Sequence, residues 1–224
     1  MTWVKICGIT NLEDALVAVD AGADAVGFVL YEKSPRCVTV ETAREILGKL
    51  PQKVEKVGVF VNEEEDSICS AVDALGITVV QMHGDREDPR VADLLVQRRP
   101  RIKVLAAISM CRPDPRGWAM MWNPDSVRAF LLDSGNSSKY GGTGKMFDWT
   151  AAAPQLDDIK KLGKVIAAGG LTSVNVGNAI RILKPWGVDV SSGVEARPGK
   201  KDPEKVQAFV RAVREIDRGL IAHC

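Results

Sequence analysis

At 224 residues the chain has the length of a single α/β barrel, and its 30 basic and 29 acidic residues nearly cancel. That balance gives no electrostatic basis for nucleic acid or an anionic membrane as a partner. Five scattered cysteines without a C-x-x-C pair argue against a disulfide framework or a zinc site, and no leader-like or membrane-length apolar run is present, so a cytoplasmic protein is expected.

Val4-Lys5-Ile6-Cys7 reads as a short strand that breaks at Gly8, with Lys5 and Cys7 on one face. Thr10 and Glu13 match a capping box, and Leu12, Ala15, Leu16 and Val19 give a helix stripe that Gly22 closes. Ala25 to Leu30 is a continuous apolar run, as in a strand buried on both faces. Ser34-Pro35-Arg36 forms a loop, and Val40, Ala43, Leu47 and Leu50 stripe a second helix. Val54 to Val61 is the third strand; Asn62 with Glu65 is expected to cap the third helix, which Gly76 ends. Ile77 to Val80 is the fourth strand, running into Gln81-Met82-His83-Gly84-Asp85. Asp88-Pro89 starts the fourth helix, and Ile102 to Ile108 is the fifth strand. A short helix is expected around Trp118, Met121 and Trp122. Val127 to Leu132 is the sixth strand and ends on Asp133. After a loop with Gly141-Gly142-Thr143-Gly144, Asp148 is expected to cap a sixth helix interrupted by Pro154. Lys164 to Ala168 is the seventh strand, stopped by Gly169-Gly170; Val176 to Leu183 is helical. Val188 to Val190 is the eighth strand, followed by Ser191-Ser192-Gly193, and Asp202-Pro203 starts the last helix.

Eight strand–helix units in strict alternation predict a parallel (β/α)8 barrel, one domain over residues 1–224. An open doubly wound sheet is the alternative, but no Gly-x-Gly-x-x-Gly follows the first strand.

A barrel of this kind works at the C-terminal ends of its strands. Those ends deliver Cys7, Arg36, His83, Asp133, Gly169-Gly170 and Ser192-Gly193. The glycine pairs after strands seven and eight stand where barrels bind phosphate through backbone N–H groups; either alone could be only a turn. Cys7 at a strand tip is either a small buried hydrophobe or a reactive thiol that Lys5 could help ionise. Asp133 is either a cap or a general acid. Arg36 is either a surface residue or a fork for a carboxylate, and His83 either a packed polar residue or a catalyst. No spacing resembles that of metal ligands.

Lys5-Ile6-Cys7-Gly8-Ile9-Thr10, Ser34-Pro35-Arg36, Val80-Gln81-Met82-His83-Gly84-Asp85, Leu132-Asp133-Ser134, Gly141-Gly142-Thr143-Gly144, Ala168-Gly169-Gly170-Leu171 and Asp189-Val190-Ser191-Ser192-Gly193-Val194-Glu195 resemble the phosphoribosylanthranilate isomerases, in order, from residue 3 to about residue 203. The departures are local: Met82 and Arg86 replace a frequent leucine and glutamate, and Ser109 to Pro124 matches no family motif. The resemblance implies an Amadori rearrangement of N-(5-phosphoribosyl)anthranilate in tryptophan biosynthesis, without cofactor or metal, by a monomer or homodimer acting on a small phosphosugar. It implies Cys7 as base and Asp133 as acid. Arg36, His83 and Asp189 would bind substrate, and Gly142, Gly169, Gly170, Ser192 and Gly193 its phosphate. The histidine-pathway isomerase resembles this family in fold but has aspartate where Cys7 stands. A non-catalytic phosphosugar-binding barrel is disfavoured by Cys7, Asp133 and Arg36 occurring together.

Overall fold

The computed structural model describes residues 1–84, 86–135 and 149–221. Eight parallel strands close into a barrel in sequence order: β1 (Trp3–Cys7), β2 (Ala25–Val29), β3 (Glu55–Val61), β4 (Val79–His83), β5 (Lys103–Ser109), β6 (Ala129–Asp133), β7 (Lys164–Ala167) and β8 (Gly187–Val190). β1 and β8 pair to close the ring, with Lys5 opposite Asp189. The crossovers are helices α1 (Leu12–Asp20), α2 (Val40–Leu47), α3 (Glu65–Leu75), α4 (Arg90–Arg98), α5 (Pro115–Met120), α6 (Trp149–Leu162) and α7 (Val176–Leu183), with α8 (Pro203–Ile221) last. The open-sheet alternative is thereby excluded.

Strand alternation divides the core in two. Outward positions such as Val4, Ile6, Val26, Phe28, Val80, Met82, Phe130 and Leu132 pack beneath the helices. Inward positions Trp3, Ala25, Val57, Val79, Leu105, Leu131 and Ile166 fill the barrel itself. Further along the same inward rows, the apolar residues give way to Lys5, Cys7, Gln81, Asp133 and Asp189, all buried. The barrel is therefore solid below and polar towards the C-terminal ends of its strands.

Several local expectations shift. Helix α1 is capped by Asn11, whose Oδ1 accepts from the Asp14 N–H at 2.9 Å, because the Thr10 hydroxyl is committed to the Gly199 carbonyl. Asn62 does not cap α3: it has φ 51°, and its Oδ1 accepts from the Arg86 N–H at 3.0 Å, while Glu64 stands at the N-cap. β4 starts two residues late, since pairing aligns Val79 with Val57 and His83 with Val61; Gln81 and His83 thus belong to the strand and point inward. α6 runs through Pro154 without interruption. That proline lies near the helix start, where a missing N–H forfeits one bond at most. Asp148 and Gly141 to Gly144 lie outside the described residues. A small antiparallel hairpin, β9 (Glu195–Arg197) with β10 (Lys200–Lys201), was not expected; it follows the 3-10 turn Ser192–Val194.

Candidate active site

Cys7, Arg36, His83, Asp133, Gly169, Gly170, Asp189, Ser192 and Gly193 line one cavity at the C-terminal mouth of the barrel. Gly142 lies outside the described residues. The remaining sequence candidates therefore meet around a single space, drawn from six strand ends and their loops.

Cys7 ends β1 because Gly8 follows at φ 76°, a conformation that side chains disfavour. A Cβ on Gly8 would also lie 2.6 Å from Cδ of Arg36. The glycine thus lets the arginine stem cross directly over the chain beside the thiol. Beneath Cys7, the fully buried Lys5 donates from Nζ to Asp189 Oδ1 at 2.7 Å. Burial opposes the Lys5 ammonium, but Asp189 and Cys7 outweigh it and hold its pKa above the ordinary value. Burial also pushes the Cys7 thiol up, further than Lys5 pulls it down. The sequence reading of Lys5 as a partner of the thiolate fits this arrangement, but the resting balance lies with the thiol.

Asp133 ends β6 with its side chain inward. His83 Nε2 stands 3.7 Å from Asp133 Oδ2, an electrostatic neighbour beyond hydrogen-bond reach. Burial lowers the His83 pKa more than Asp133 raises it, so the imidazole is neutral near pH 7.

Arg36 is not simply turned to the cavity. Its Nε and Nη2 donate to Glu195 Oε1 and Oε2, both at 2.8 Å. The hydrogen bonds to Glu195 raise its pKa further. Glu195 Oε1 also accepts from Lys201 Nζ at 3.0 Å, and Lys201 reaches the Ser191 carbonyl at 3.1 Å. Two cations thus share one carboxylate, leaving a net positive corner with Arg36 Nη1 outside the Glu195 pairing. Such a corner suits a ligand carboxylate. Glu195 and Lys201 were missed as site residues; the only sequence sign was Glu195 closing the last motif.

After β7, on the same cavity, Gly169 and Gly170 have φ 78° and 68°. Positive φ suits glycine, and a backbone without side chains can be approached closely by an anion. A Cβ on Gly193 would overlap the Leu171 carbonyl oxygen, so the β7 and β8 loops pack together only because glycine stands there. Among the described residues no cluster could hold a metal ion, and no helix is long and apolar enough to cross a membrane.

The arrangement offers glycine loops, a cationic corner, a thiol and a carboxyl group around one cavity. The family model for N-(5'-phosphoribosyl)anthranilate isomerase matches residues 4–212. The isomerase of that name from Pelobacter propionicus is 47% identical, covering 96% of this chain and 97% of its own. The crystal structure of the Thermotoga maritima isomerase superposes with a TM-score of 0.85 at 41% identity, over 96% of this chain and 100% of that one. A phosphoribosylanthranilate isomerase in complex with reduced 1-(o-carboxyphenylamino)-1-deoxyribulose 5-phosphate gives 0.82 at 39% identity, over 96% of this chain and 100% of that one.

Proposed function

The chain belongs to the N-(5'-phosphoribosyl)anthranilate isomerase family, and from that premise we propose that its mouth cavity works with Cys7 as base and Asp133 as acid. The reaction is the isomerase step of tryptophan biosynthesis, an Amadori rearrangement of an aminoaldose to an aminoketose. It moves protons only, and the cavity supplies groups for moving them.

Asp133 gives a proton to the furanose ring oxygen as the C1–O bond breaks, and the anilino nitrogen lone pair forms the C1=N iminium. That cation acidifies the C2 proton. Cys7 as thiolate removes it, and the C–H electron pair forms C1=C2 while the iminium electrons return to nitrogen. The enol then gains a proton at C1 and loses one from its C2 hydroxyl, giving the ketone. Since burial favours the resting thiol, the thiolate that removes the C2 proton is the minor form of Cys7 near neutrality. Lys5, hydrogen-bonded to Asp189, is the cation nearest the developing sulfur anion.

Arg36, held by Glu195, receives the anthranilate carboxylate, and Gly169-Gly170 with Ser192-Gly193 receive the phosphate. His83 and Asp189 contact the sugar between them. Anchoring both ends places the reacting carbons between base and acid. Every residue named here comes from one chain, so the reading holds for a monomer and a homodimer alike. The observation that carries it is the meeting of Cys7, Asp133, Arg36 and the glycine loops around one cavity. The test is a coupled assay: anthranilate, phosphoribosyl pyrophosphate and the upstream transferase generate substrate, and anthranilate-type fluorescence is followed. Addition of this protein should consume the intermediate; an unchanged trace contradicts the reading.

A further inference from the structure

Four buried side-chain polar atoms lack a hydrogen-bond partner among the described residues: the indole nitrogens of Trp118 and Trp122, Gln81 Oε1 and Ser191 Oγ. The two indoles belong to the α5 region, whereas Gln81 and Ser191 line the mouth cavity. Gln81 is the more demanding case. It is 3% exposed, and its carboxamide reaches inward from β4 one pleat below His83. A buried amide oxygen without a partner costs free energy that an apolar side chain of the same size would not. Gln81 lines the mouth cavity, so a ligand held there comes within reach of that carboxamide.

The chemistry of the substrate selects which group that is. An amide oxygen needs a donor, and carboxylate and phosphate are acceptors only. The anilino N–H lies ortho to its own carboxylate, which can accept it internally. The sugar hydroxyls remain. We propose that Gln81 is a substrate-contacting residue whose carboxamide binds a hydroxyl of the opened ribose chain beside the reacting carbons. The inference rests on the isomerase reading above. The amide carries both an acceptor and a donor, so it can follow the C2 oxygen from hydroxyl donor to ketone acceptor as the rearrangement proceeds. It would therefore set specificity for a hydroxylated chain and hold that chain extended between Cys7 and Asp133.

The distinguishing feature of this role is that stability and activity move in opposite senses. Gln81→Met keeps length and volume and removes both hydrogen-bonding ends. The expected result is a thermal midpoint equal to or above that of the wild type. Affinity for reduced 1-(o-carboxyphenylamino)-1-deoxyribulose 5-phosphate should fall about tenfold, with kcat/KM reduced at least as much. A fall in thermal midpoint, or failure to fold, would show that the amide is bonded within the protein and would overturn the proposal. So would analogue affinity and kcat/KM within about twofold of wild type. Wild-type turnover measured alongside separates the two levels: an active wild type with an unchanged variant removes the Gln81 role alone, and an inactive wild type removes the isomerase reading and this role with it.

Discussion

The two ends of the barrel use similar residue types to opposite ends. At the N-terminal end, Trp3 and Trp186 stack with centroids 5.2 Å apart, and the Arg128 guanidinium lies 4.7 Å from the Trp186 ring. Glu55 accepts from Trp3 Nε1 at 3.1 Å, from Lys103 at 2.5 Å and from Arg128 at 2.6 Å. Burial works against its charge, but the bonds from Lys103 and Arg128 prevail and hold its pKa below the ordinary value. Donors and acceptors there are matched and the end is closed. At the C-terminal end the charges are also paired, Lys5 with Asp189 and Arg36 with Glu195, yet Gln81 and Ser191 keep unmatched atoms beside the cavity. One end commits its polar groups to the fold, and the other leaves two buried polar atoms without a partner among the described residues, where the proposed substrate site lies.

The largest expected break in this contrast is at the proton-transfer groups. Cys7→Ser and Asp133→Asn should each lower kcat by about 10²–10⁴-fold in the fluorescence assay, with thermal midpoints close to wild type. In the wild type, kcat/KM against pH should be bell-shaped, because turnover needs the Cys7 thiolate and the Asp133 proton together. Next is the cationic corner. Arg36→Met should raise KM about 10- to 100-fold with a smaller change in kcat, since a charge-assisted contact to the substrate is lost while Glu195 keeps Lys201. Equal losses in kcat and kcat/KM would place Arg36 in the chemistry instead.

The sealed end should respond in the opposite way. Trp186→Ala should cost about 2–3 kcal/mol by urea unfolding, from lost stacking and burial, and leave kcat/KM unchanged. A kinetic effect there would erase the division between the ends. The smallest effect lies on the rim, at Glu87 after β4. Its Oε1 accepts from the Asn62 N–H at 2.6 Å, and burial raises its pKa to about 7. The raised value means the folded protein holds this proton more tightly than the unfolded chain does. The associated stability is full below the unfolded carboxyl range and is lost as pH rises through about 7. Glu87→Gln keeps an acceptor and removes the titration. It should therefore flatten stability against pH between 5 and 8, exceeding wild type by about 1–2 kcal/mol at the upper end. Parallel pH curves would contradict this.

The sequence made the architecture legible because period and punctuation agreed: buried apolar runs recur eight times, and striped helices and glycine stops separate several of them. Cys7, Asp133 and the two glycine pairs could be placed because strand tips are fixed by where the runs stop. What escaped depends on distance in the chain. Thr10 was lost as a cap to a carbonyl at Gly199, and the register of β4 was set by β3, which moved Gln81 and His83 into the strand. Glu195 lies 159 residues from Arg36, so its grip on that side chain had no local signature. The thiol balance at Cys7 likewise reflects complete burial set by the whole barrel, which the neighbouring Lys5 alone did not foretell.

A crystal structure with reduced 1-(o-carboxyphenylamino)-1-deoxyribulose 5-phosphate bound tests the central claim most directly. The account predicts the sugar carbons at C1 and C2 within about 4 Å of Cys7 Sγ and in reach of Asp133, the aryl carboxylate at Arg36, and the phosphate on the Gly169-Gly170 and Ser192-Gly193 backbone. A phosphate at Arg36, or reacting carbons out of contact with Cys7, would contradict it.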